Sequence, residues 1–201
     1  LAEVDFLTLT AKGEPTLHLD FGEILRALKH KTTKPVAVLT NGTTMTDPRV
    51  RDELLPADVV TPSLDAAREE SFRRIDRPMA GLNLTEIIAG LTAFSHVYQG
   101  ALWLEILLAQ GVNDAPEDIA ALIDAIQPMR IDRIQLNTVV RPPAEPFARA
   151  VPAQQLMAIA ARFGQALALP VDLPFATATV RRYISRMYVT ARTRGQPSQN
   201  G

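Results

Sequence analysis

Val36-Ala37-Val38-Leu39-Thr40-Asn41-Gly42 decides the fold class: four apolar residues introduced by Pro35 and closed by a polar turn. A short run of this composition is strand-like, and its lack of polar alternation suits a strand covered on both faces. After it, Asp47-Pro48 reads as the N-cap and first residue of a short helix reaching Leu55, and residues 58–63 read as the next strand. Before it, Phe21, Ile24, Leu25 and Leu28 follow helical spacing behind Asp20 as N-cap, preceded by a strand over residues 4–10. Further on, helices are expected over 69–75, 84–98, 116–126 and 152–167, with strands over 102–108 and 131–136. Leu84, Ile87, Ile88, Leu91 and Phe94 form an apolar stripe on one helix face. Five β-α units in succession, with no strand-turn-strand hairpin signal, imply parallel strands joined by right-handed crossovers. Five are too few to close a barrel of eight, so an open curved sheet or partial barrel is expected in this α/β chain. No domain boundary is expected before about residue 170. Residues 1–168 read as one unit and 169–201 as a basic, partly disordered extension.

In parallel α/β folds ligands bind at the carboxyl ends of the strands, and four polar motifs recur there. Gly13-Glu14-Pro15 offers a tight turn and one carboxylate over the strand ends, a combination that suits a ligand ammonium group. Thr40-Asn41-Gly42 reads either as a ligand contact or as a plain turn. Ser63 and Asp65 lie two apart on an extended segment, so their side chains share one face and can grip a diol; Asp65 as a cap of the following helix is the alternative. Glu105 is the most conspicuous single residue, because a carboxylate inside an apolar strand is costly unless it is paired or faces a polar site. Asn137 begins the last loop, which Arg141-Pro142-Pro143 stiffens. Arg141 reads equally as an anion partner or as a surface charge.

Composition narrows the function classes. The chain has 201 residues, 47% apolar and 21% charged, which is enough for one sizeable core. It contains no cysteine, so it offers neither disulfides nor thiolate metal ligands. His18, His30 and His96 are scattered, and no metal site is expected within these residues. The apolar run Ala101–Leu104 is interrupted by Glu105, and no run approaches the roughly 20 residues of a membrane helix. Glu3 and Asp5 stand where a signal peptide would be basic, so a cytoplasmic location with no membrane partner is expected. The first residue is Leu1, which suggests a trimmed start or a fragment. Net charge is −1, but residues 181–201 carry five arginines and no acid, leaving −6 for the remainder. That tail reads as a solvated end or, with Tyr183 and Tyr188, as a nucleic-acid contact.

Taken together, Gly13-Glu14-Pro15-Thr16-Leu17, Leu39-Thr40-Asn41-Gly42, Ser63-Leu64-Asp65-Ala66-Ala67, Arg74-Ile75-Asp76-Arg77-Pro78 and Gln135-Leu136-Asn137-Thr138 resemble the radical S-adenosylmethionine superfamily. The resemblance runs from about Val4 to Gly164 and includes the branch of iron–sulfur oxidoreductases that holds wyosine-type tRNA-modifying enzymes. It implies a (β/α)6 partial barrel, a 4Fe-4S cluster on a three-cysteine loop, and reductive cleavage of S-adenosylmethionine to a 5′-deoxyadenosyl radical. It further implies that Gly13, Glu14 and Pro15 meet the methionyl amino group, while Ser63, Asp65 and Glu105 meet the ribose or the carboxylate. Thr40 and Asn41 border the same place, and the segment from Asn137 borders the adenine. A reductant such as flavodoxin or ferredoxin, and a substrate for which tRNA is one candidate, are implied partners. The chain departs from the pattern in having no cysteine loop and one strand fewer, the first. A partial gene product, inactive as it stands, is therefore expected. The competing reading is a non-catalytic nucleic-acid or protein interaction module on a degenerate barrel. An aldolase-like barrel is disfavoured because no lysine lies inside a strand to act as a Schiff-base nucleophile.

Overall fold

A computed structural model describes residues 5–173. The arginine-rich tail and the first four residues lie outside the described residues. Six strands alternate with helices: β1 (Leu7–Leu9), α1 (Phe21–Lys31), β2 (Val36–Thr40), α2 (Pro48–Leu54), β3 (Val59–Pro62), α3 (Glu69–Ile75), α4 (Leu84–Val97), β4 (Ala101–Leu108), α5 (Pro116–Ile126), β5 (Arg133–Thr138), α6 (Ala153–Leu167) and β6 (Val171–Asp172). All pairings are parallel and the strand order is the chain order, 1-2-3-4-5-6, so the sheet is open. The α/β partial-barrel expectation holds.

Two details differ from the sequence reading. A sixth strand is present, because Val171 and Asp172 pair with Ile134 and Gln135 beyond the last helix. Two residues between Pro170 and the end of the described chain are too short a pattern to register as a strand. Asn137 belongs to β5 rather than to the loop after it. Its polar side chain resembles a loop residue in sequence, but it occupies a lattice position on the sheet's concave face.

The helix starts follow local chemistry unevenly. Asp47 caps α2 as expected, its carboxylate accepting from Arg49 N at 2.9 Å, with Pro48 at the first helical position. Asp20 precedes α1 but makes no side-chain cap bond. Asn83 caps α4 through Glu86 N at 3.2 Å. Gly90 of α4 is indispensable for packing: a Cβ there would lie 2.4 Å from the Met45 carbonyl oxygen, on the single-turn helix Thr43–Thr46.

The strands show which side is which. In β4, Leu102, Leu104, Ile106 and Leu108 are buried under the helices, while Trp103, Glu105 and Leu107 are only half-buried on the concave face. β5 repeats the pattern, with Ile134, Leu136 and Thr138 buried and Arg133, Gln135 and Asn137 half-buried. The core joins Phe21 and Leu25 of α1 through Phe94 of α4 to Phe163 of α6. At the open edge, β1 pairs only with β2 among the described residues. No helix among the described residues is long and apolar enough to cross a membrane.

Candidate functional site

The carboxyl ends of β1 to β5 bring the sequence-selected residues to one rim. Glu14 lies in the turn after β1, at the N-cap of the short helix Pro15–Leu17. Its Oε1 accepts from Thr16 N (3.1 Å), Thr16 Oγ1 (2.6 Å) and Thr40 Oγ1 (2.7 Å), and its Oε2 accepts from Asn41 N (2.6 Å). Thr16 Oγ1 also hydrogen-bonds Thr44 Oγ1. The carboxylate therefore faces inward and ties the first strand end to the second. Pro15 starts the short helix, while Gly13 is exposed and a Cβ there would meet nothing within 4 Å. The turn itself does not require glycine at 13.

Asn41 turns its side chain back locally, Oδ1 accepting from Thr43 N at 3.0 Å and Thr43 Oγ1 at 2.7 Å. Gly42 follows with φ +75°, a conformation that favours glycine, and the Ser63 carbonyl and Leu91 crowd the place of a Cβ. Thr40 uses its hydroxyl twice, donating to Glu14 and accepting from Gly42 N.

Ser63 continues β3 by one bridge to Glu105. Its main-chain N–H donates to the Thr40 carbonyl, and its hydroxyl makes no hydrogen bond among the described residues. Thr61, two residues earlier on the same face, has a fully buried hydroxyl without a partner. Asp65 does not cap α3, whose N-cap is Arg68. Its Oδ1 accepts from Leu107 N at 2.8 Å, clamping the loop after β3 onto β4. Asn113, completely buried, holds the same junction. Its Nδ2 donates to the carbonyls of Asp65 and Leu107, and its Oδ1 accepts from Ala109 N, each at 2.8 Å.

Glu105 accepts from Asn137 Nδ2 at 2.7 Å across the β4–β5 pair, and no Lys or Arg forms an ion pair with it among the described residues. Burial raises its carboxyl above the usual range, and the Asn137 bond partly opposes this. Asp65 is raised well above its ordinary value by burial first, then by the charges of Asp76 and Glu105. Asp76, at the end of α3, has solvent-exposed surface, and desolvation of its carboxyl by the protein around it pushes it up to about 6. Three acids thus crowd one region. No His, Asp or Glu grouping among the described residues is arranged to hold a metal ion.

Two contributors escaped the sequence reading as site residues. Asp76 stood inside the Arg74–Pro78 motif without a role, and its neighbours in space are distant in sequence. Asn113 looked like an ordinary turn residue. The Arg68–Asp118 ion pair (3.0 Å), with Ser71 hydrogen-bonded to the same carboxylate, fixes α3 against α5 and so fixes where Asp76 stands.

The acids predict a pH response. In the unfolded chain Asp76 ionises near its ordinary 3.8, whereas in the native state it does so near 6. Between these values the native state keeps a proton that the unfolded state has released. Stability therefore falls as pH rises through that window, and levels off above it. Asp76→Asn should flatten this slope in urea unfolding at stepped pH and bring Asp65 toward its ordinary range. A slope identical to that of the parent protein would refute the assignment.

Comparison with known proteins adds the lineage. The sequence profile described as "Radical SAM superfamily" matches residues 4–124. The chain belongs to the radical S-adenosylmethionine superfamily. Among curated proteins it is 32% identical over 171 residues to a protein named GTPase Obg from Brachyspira hyodysenteriae, covering 85% of this chain and 25% of that protein. It is 38% identical over 141 residues to a UPF0026 protein of Synechocystis, covering 70% of this chain and 52% of that one. The chain thus spans from a quarter to about half the length of these curated relatives. A solved domain of pyruvate-formate lyase-activating enzyme from Bacteroides vulgatus shares the fold, with a TM-score of 0.65, 16% identity, and coverage of 83% of this chain and 97% of that one.

Radical SAM membership implies S-adenosylmethionine and a 4Fe-4S cluster. The cluster does not fit the donors present, since iron–sulfur clusters need thiolates and these 201 residues contain none. S-adenosylmethionine fits better. The concave rim presents a Ser63 hydroxyl with no partner among the described residues and the Glu105–Asn137 pair beside a crowd of carboxyl groups, above the buried, unpartnered Thr61 hydroxyl.

Proposed function

We propose that this chain forms the cofactor-holding part of a cytoplasmic radical S-adenosylmethionine enzyme, with Ser63, Asp65, Glu105 and Asn137 lining the cofactor's place. The observation that carries the reading is the gathering of Asp65, Glu105 and Asp76, each raised by burial and Asp65 further by the other two, with none of the three in an ion pair among the described residues. Such a cluster favours a ligand that brings positive charge, and S-adenosylmethionine carries a sulfonium and an ammonium group as well as a ribose diol for carboxylate acceptors. In an active member of the family the cofactor, cleaved reductively at a 4Fe-4S cluster, supplies a 5′-deoxyadenosyl radical. The cluster's ligands are not among these residues, so this chain's own contribution is to bind and orient. The Gly13-Glu14-Pro15 turn and the Thr40-Asn41 turn border the same place, where the Glu14 carboxylate would meet the methionyl ammonium group as well as tie the two strand ends together. A reductant such as flavodoxin or ferredoxin and a substrate such as tRNA belong to the same reading.

Calorimetric titration with S-adenosylmethionine tests it. Weak binding is expected in the parent chain. It should tighten as pH rises through about 6, where Asp76 releases its proton. Asp65→Asn and Glu105→Gln should each weaken binding by about 10-fold or more, since a charge-assisted contact contributes about 1.5–3 kcal/mol. Equal affinity in the parent and both variants would place the cofactor elsewhere.

A further inference from the structure

A concavity of about 470 Å³ lies between the end of α3, the loop after β4 and the loop that carries Phe147, and three of its seven lining residues are arginines. Arg73, Arg74 and Arg77 line it together with Gln110, Gly111 and Phe147. Arg73 Nε is held by Glu69 at 2.8 Å and Arg77 Nη1 by Glu145. Arg74 donates through Nη2 to the Gly111 carbonyl at 2.7 Å, and no carboxylate pairs with it among the described residues. Three guanidinium groups present fifteen N–H donors, most of which these contacts leave free, in the planar geometry that matches phosphate oxygens.

Two further observations mark the place. Arg77 adopts φ +47°, a left-handed conformation that costs a non-glycine residue energy and that glycine would adopt freely. An arginine is kept where the helix end would favour glycine, and its side chain lines the cavity. Phe147 is 52% exposed on the opposite wall, carried by a loop stiffened by Pro142, Pro143 and Pro146. An exposed ring on a stiff loop facing cationic groups offers a stacking platform.

We propose that this cavity binds a nucleotide, its phosphates on Arg73, Arg74 and Arg77 and its base on Phe147. The volume lies in the range of small-molecule sites. Glu69 and Glu145 act as placeholders that hold the arginines in position until phosphate displaces them.

Calorimetry on the chain without any cofactor tests this, so the result is independent of where S-adenosylmethionine binds. The probes are adenosine and guanosine triphosphates, pyrophosphate, adenosine, and a short single-stranded RNA. The triphosphates should bind at least about 10-fold tighter than pyrophosphate, and adenosine should not bind measurably. Glu145→Gln should tighten nucleotide binding several-fold by freeing Arg77, a gain that a merely structural pair would not give. Arg77→Gly should weaken binding about 10-fold or more while the thermal midpoint holds or rises. Phe147→Ala should abolish the advantage over pyrophosphate. Binding that is unchanged or weakened in Glu145→Gln, or unchanged in Arg77→Gly, would overturn the proposal. So would RNA binding in the absence of mononucleotide binding, which would mark a polynucleotide surface instead.

Discussion

Glu14→Ala should destabilise the protein by about 3 kcal/mol and detach the turn after β1 from the end of β2. The carboxylate accepts four hydrogen bonds from two consecutive β-α units. Hydrogen bonds to a charged group contribute about 1.5–3 kcal/mol, and coupled bonds to one carboxylate do not add in full. Removal leaves the Asn41 N–H and the Thr40 hydroxyl without acceptors. Urea unfolding measures the loss, and hydrogen exchange locates it, because the Asn41 amide should lose protection while the core amides of β4 keep theirs. Glu14→Gln separates charge from shape. Its amide still accepts through one oxygen, so it should fall between the parent and the alanine variant. Full stability in Glu14→Ala would mean that the turn is held by its own short helix alone.

Asn113→Ala should cost at least as much, about 3–5 kcal/mol. The side chain is fully buried and makes three bonds of 2.8 Å, and its loss leaves the Asp65 and Leu107 carbonyls and the Ala109 N–H unpaired. Each buried group left unsatisfied costs about 1–3 kcal/mol. The effect should reach the rim, since the main chain of Asp65 is released while its carboxylate stays on Leu107 N. Asn113→Asp makes a sharper test. It keeps the acceptor but loses both donated bonds and adds a fourth acid to the crowd, so its stability should fall steeply as pH rises. A thermal midpoint within a degree or two of the parent in either variant would show that water replaces the side chain at no cost.

The fold was largely legible because the chain alternates strand and helix with clear punctuation. Pro35 before β2, Asp47-Pro48 before α2 and the apolar stripe of α4 each act locally, and local signals survive in a linear reading. The placement of Glu14, Ser63 and Asp65 just past strand ends, and of Glu105 inside a strand, was legible for the same reason. What each side chain does there was not. Glu14 reads in sequence as a ligand group, and only three-dimensional proximity shows that its carboxylate also accepts from Thr40 and Asn41. The cap alternative for Asp65 failed because the N-cap of α3 is Arg68, three residues on, while Leu107, which carries the N–H that Asp65 binds, lies 42 positions away. Asp76 has no sequence signal for its raised pKa, since that depends on what surrounds it in space. β6 was missed because two residues have no periodicity to detect.

The chain-order sheet has a consequence for how the protein acquires its structure. Among the described residues every strand pairs with its sequence neighbours alone, from Leu7 with Val36 at one end to Ile134 with Val171 at the other. No strand is inserted between two that were made earlier, so each new unit meets a finished edge. Loop-closure entropy then enters one crossover at a time, which favours growth along the sheet over a search for distant partners. The longest step is from Val59 to Ala101, across both α3 and α4. That crossover is where the growing chain should hesitate.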